Sequence, residues 1–119
     1  MPRQLRSKRV YDPPEATDGL RVLVDRLWPR GLKKDEAAID LWLKEAAPSA
    51  ESRRWFGHDA VRWDEFRRRY FRELDANRAA LTPLFGTSGN VTLLFAARDA
   101  EHNNAVALAD WLKVQNNDN

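Results

Sequence analysis

The sequence predicts a small α/β domain, a three-layer arrangement in which a short, mostly parallel sheet is flanked by helices. Three observations lead to that class. Residues 20–27 (LRVLVDRL) and 91–97 (VTLLFAA) carry apolar residues on both faces, as strands covered on both sides require. Between and after them lie segments with apolar residues at i, i+3, i+4 and i+7, the stripe of an amphipathic helix. The length of 119 residues suits a single domain spanning 1–119, large enough to bury about two thirds of its unfolded surface and too short for two cores.

Taken in order, residues 6–11 form a strand closed by Asp12-Pro13-Pro14, where proline removes backbone donors. Asp18-Gly19 marks a turn into the strand over 20–27, with Leu20, Val22 and Val24 on one face and Leu23 and Leu27 on the other. A helix is expected over 35–46, striped by Ile39, Trp42, Leu43 and Ala46, and Pro48 breaks it. Ser49 caps a second helix that ends at Phe56, where Gly57 suits the left-handed exit. Asp59 caps a third over 60–76, which turns Trp63, Phe66, Tyr70, Phe71 and Leu74 inward. Thr82-Pro83 opens one more turn, closed by Gly86 and Ser88-Gly89-Asn90. After the strand over 91–97, Asp99 is placed to cap a final helix buried through Ala105, Leu108, Ala109 and Leu112, with a frayed tail over 115–119.

Composition removes several classes of function. The chain has no cysteine, so disulfide frameworks, thiolate zinc sites, iron–sulfur clusters and cysteine nucleophiles are excluded. Two histidines without a paired spacing give no metal site, and no cofactor motif is present. No stretch reaches the ~20 apolar residues of a membrane span, and the basic N-terminus lacks the apolar core of a signal peptide, which predicts a cytoplasmic protein that avoids membranes. It folds alone or as a small oligomer. Of the 20 basic residues, 15 are arginine, the side chain that matches carboxylate and phosphate bidentately, although an arginine-rich genome gives the same ratio.

Ligands of open α/β sheets bind beyond the carboxyl ends of the strands. Here one strand runs into Asp25, Arg26, Trp28 and Arg30, and the other into Arg98 and Asp99. If the two strands are parallel neighbours, guanidiniums, carboxylates and a helix N-terminus meet at one crevice, a constellation for an anion. Asp25, Asp99 and His58 are the candidate acid–base groups, and Arg26, Trp28, Arg30, Arg67 and Arg98 the candidate ligand-binding ones. Arg67 qualifies because it sits inside an apolar stripe, between Trp63 and Phe71, where it either snorkels or meets an ion. The competing reading makes Asp25 and Arg26 loop ties, Asp99 a cap, and Trp28 and His58 packing or surface residues.

RVYDPP, DGLRVLVDRLWPRG, IDLWLKEAAPS, RRWFGH, the F-x-x-x-Y-x-x-EL pattern of 66–74 and VTLLFAARDAEHNNA together resemble the YeaO-like family, a branch of a larger domain of unknown function. The resemblance covers most of the chain and implies a cytosolic bacterial α/β fold without an assigned activity. The wider superfamily is similar in placing an acidic–arginine pair after one strand and a cysteine and an acid at the end of the last; here Phe95 and Ala97 stand at that end. Three roles follow for testing. The first is a protein or enzyme holding a small anionic ligand at the strand ends. The second is weak, sequence-indifferent nucleic-acid binding through the basic N-terminus, Lys33-Lys34 and the arginine-rich helix. The third is an interaction module presenting Trp111, which lies off the buried stripe.

Overall fold

A computed structural model describes residues 2–117. Strands β1 (Leu5–Arg9), β2 (Leu20–Leu23), β3 (Leu41–Trp42) and β4 (Val91–Phe95) form one sheet in the order β1-β4-β2-β3. All three pairings are parallel, with Leu5 opposite Val91, Leu20 opposite Val91 and Val22 opposite Leu41. The two apolar strands of the sequence are therefore central neighbours, and every residue of β4 is buried.

The layers are unequal. On one face Val22, Val24, Leu93 and Phe95 join Phe56, Phe66, Tyr70, Leu108 and Leu112 in the main core, which gathers helices α2 (Ala50–Phe56), α3 (Trp63–Ala76), α4 (Thr82–Phe85) and α5 (Asn104–Asn117). On the other, Val10, Leu23 and Leu94 are covered by Trp28, Leu32, Ile39 and Trp42, a loop with a single helical turn, α1 (Lys34–Ala37).

Several expectations are corrected. The helix over 35–46 is broken: α1 ends at Ala38 in the left-handed conformation, and the chain then pairs with β2 as β3 before a 3-10 turn, Lys44–Ala46. The sheet wins because Asp40 takes the Arg21 N–H on its carboxylate (2.9 Å) while its own N–H donates to the Arg21 carbonyl (2.9 Å). The strand over 20–27 stops at Leu23, and Leu27 is 70% exposed rather than inward. Asp99 is not the cap of α5. It caps a preceding turn through the Glu101 and His102 N–H groups, and Asn103 Oδ1 accepts from Val106 N–H at the helix start. Trp111 is 2% exposed, and its indole donates to Asp75 (2.9 Å), so it offers no partner surface. Of the expected frayed tail, 115–117 continue α5 and 118–119 lie outside the described residues.

A buried ion cluster that sequence reading overlooked joins β1 and β2 to the turn between them. Asp18, 3% exposed, pairs with Arg21, 4% exposed, and with Lys8 at 3.3 Å. Burial opposes the Asp18 charge, but the Glu15 N–H and the Arg21 and Lys8 side chains overcome it and hold the pKa below the usual range. Among the described residues, no helix is long and apolar enough to cross a membrane.

Candidate functional site

The parallel pairing of β2 with β4 brings their carboxyl ends side by side, and there the chain leaves a cleft of about 750 Å³. Asp25 stands at its base, held by both strands: one carboxylate oxygen accepts from the Ala96 N–H (2.9 Å) just past β4, the other from Asn104 Nδ2 (3.1 Å) at the start of α5. Asn104 also donates to the Val24 carbonyl (3.0 Å), and the Asp25 carbonyl accepts from the Trp42 indole (2.8 Å). Burial lifts the Asp25 pKa above the carboxylate range, against these hydrogen bonds and the nearby Arg53 and His58, which pull it down.

Helix α2 supplies the opposite wall. Ser49 Oγ caps it by accepting from Ser52 N–H (3.1 Å), and Gly57 ends it with φ +53°. Glu73 of α3 then fixes the cap, accepting from the Ser49 N–H (2.8 Å), Ser49 Oγ (2.9 Å) and Ser52 Oγ. That clamp, with Phe56 stacked on Phe66 at 4.4 Å, aims Arg53 and Arg54 at the cleft beside His58, itself at φ +58°. The third side is the segment after β2: Arg26, Leu27, Trp28, Pro29 and Arg30. Trp28 is fixed edge-on against Trp42 (5.4 Å) and donates to the Leu32 carbonyl (2.7 Å), while Tyr11 donates to the Arg30 carbonyl (2.8 Å).

Of the sequence candidates, Asp25, Arg26, Trp28, Arg30 and His58 line this cleft. Arg98, Asp99 and Arg67 do not. Arg98 is exposed beyond β4. Asp99 accepts from the Glu101 and His102 N–H groups and meets His102 Nδ1 at 2.9 Å, and these bonds hold its pKa low. Arg67 ties α3 to α5 through Asp110 (3.1 Å) and lies over Phe71 (5.1 Å). Arg53, Arg54 and Asn104 were missed. A pair of adjacent arginines before WFGH was visible, but nothing local says which face of a seven-residue helix looks toward a strand end.

The arrangement is chemically lopsided. Four arginines, Arg26, Arg30, Arg53 and Arg54, line a cleft that holds one carboxylate, and of these Arg53 acts electrostatically on Asp25. Among the described residues no hydrogen bond or ion pair engages the side chains of Arg26, Arg30 or Arg54, and Arg53 Nε is shielded from solvent without an acceptor. No group of three His, Cys, Asp or Glu side chains able to hold a metal occurs among the described residues.

This is a parallel-sheet α/β domain with an arginine-lined cleft at the strand ends, and by sequence it belongs to a defined family. The model of DUF488-N3i, the inactive DUF488-N3 subclade, matches residues 4–119, and the chain is a member. It is similar to YeaO of Escherichia coli (strain K12), described as uncharacterised, at 44% identity over 111 residues, 92% of this chain and 96% of YeaO. Uncharacterised proteins of Mycobacterium bovis (Mb3100c) and Mycobacterium tuberculosis (Rv3073c) are each 42% identical over 111 residues, 92% of this chain and 93% of theirs. No solved structure matches the chain significantly.

Proposed function

We propose that this chain is a non-catalytic binding protein that holds a small phosphate- or carboxylate-bearing molecule at the carboxyl ends of β2 and β4. The observation that carries the reading is the set of guanidiniums around the cleft, three of them without an internal partner, while the one carboxylate among them is already bonded to Ala96 and Asn104. Arginine forks are suited to an oxyanion, and a low-dielectric wall strengthens the pairing. The cleft volume lies within the span of small-molecule sites. The family's description as inactive favours binding over turnover. Nucleic-acid binding ranks lower, because several of the basic groups it would use are engaged: Arg6 on the Thr17 carbonyl, Lys8 on Glu15 and Asp18, and Arg68 and Arg69 on Glu65.

Thermal melts with and without millimolar phosphate test the reading. Ligand at ten times its Kd stabilises the wild type by mass action, raising Tm by roughly 5 °C for a domain of this size. Arg26→Ala and Arg30→Ala should melt within about 0.5 kcal/mol of wild type without phosphate, being exposed and unpaired, and should lose most of the phosphate gain. A wild-type Tm unmoved by phosphate, with both variants strongly destabilised, means that the arginines are structural.

A further inference from the structure

Beyond its charge, the cleft has an apolar character that a bare oxyanion does not explain. Its volume is many times that of phosphate, and Trp28, Pro29, Pro48, Phe56 and Phe66 line it. Its mouth also leaves apolar surface in water. Four large hydrophobic residues are exposed among those described, and two of them, Leu27 at 70% and Tyr11 at 41%, belong to this lining. Both are held open from beneath: Tyr11 by its bond to the Arg30 carbonyl, and the Leu27 segment by the Trp28 indole on Leu32. Fixed, exposed apolar groups at the rim of a cationic cleft indicate an amphipathic ligand.

Resting on the proposed anion site, we infer that its ligand is a monoanionic or dianionic ester or acid with a flat aromatic body. The anionic group enters first, toward Arg53, whose Nε is buried without an acceptor beside Asp25. The ring stays at the mouth, against Leu27, Tyr11 and the Trp28–Pro29 segment. Ring edges and faces complement these side chains, and covering Leu27 and Tyr11 removes apolar surface from water.

Isothermal titration with inorganic phosphate and with phenyl phosphate separates this inference from the reading beneath it. Phenyl phosphate should bind about tenfold more tightly than phosphate, the gain expected from burying one side of a ring. Leu27→Ser should bring that ratio toward one. Arg53→Gln should weaken both ligands, and Arg53→Lys, which keeps the charge, should restore part of the affinity if the glutamine variant folds poorly. Equal affinities in the wild type, or a ratio unchanged by Leu27→Ser, overturn the aromatic assignment and leave the anion site standing. Binding of neither ligand overturns both.

Discussion

At the scale of single residues, Asp25 is where the proposed anion site is most exposed to test. It is the one carboxylate in the lining, its oxygens already accept from Ala96 and Asn104, and burial raises its pKa. An anion beside it adds like-charge repulsion, which disfavours the ionised form further. Sulfate keeps its charge across this range and isolates the effect. Its affinity should be greatest where Asp25 is protonated and should fall as pH rises through the raised pKa. Measured in a His58→Gln background, so that the imidazole contributes nothing, this slope should vanish in Asp25→Asn. A sulfate affinity independent of pH in that background contradicts the placement of the anion beside Asp25. Residue identity was also where sequence reading reached its limit. Asp25 and Arg26 were conspicuous because they interrupt an apolar run, and Arg30 because it flanks Trp28-Pro29. Arg53 carries no such local mark, since its role depends on the Glu73 clamp that orients α2 from a distant helix.

At the scale of elements, the cleft exists because β2 and β4 are in register, and that register is set at their amino ends. Gly19 has φ +66°, and a Cβ there would lie 2.1 Å from the Asn90 carbonyl oxygen. The next residue, Leu20, donates to the same carbonyl (2.9 Å). Gly19→Ala therefore meets both a left-handed backbone and a backbone collision, and should cost more than about 2 kcal/mol in urea unfolding. A variant as stable as wild type means that this junction does not hold the strands. Elements with two-sided burial or clear caps were legible: β4 as a continuous apolar run, α2 between Ser49 and Gly57, and the stripe of α3. The segment over 35–46 was not. Its spacing of Ile39, Trp42, Leu43 and Ala46 fits a helix, but the backbone of Arg21 offers Asp40 a ladder, and that long-range pairing overrides a local pattern.

At the scale of the whole molecule, the sheet separates two electrostatic environments. One, joining β1 and β2 to the turn between them, closes on itself through Lys8, Glu15, Asp18 and Arg21. The other, at the carboxyl ends of β2 and β4, has four arginines and one carboxylate in its lining, so a modest net charge of +2 conceals a localised cationic cleft. The measurement that tests this account most directly is a phosphate titration followed by backbone amide and arginine Nε–H resonances. The shifts should centre on Ala96, Asn103, Asn104, Arg26, Arg30 and Arg53, which line the cleft at the carboxyl ends of β2 and β4. Shifts confined to Arg6 and Lys8 on the edge strand β1, or spread along the arginines of α3, would contradict it.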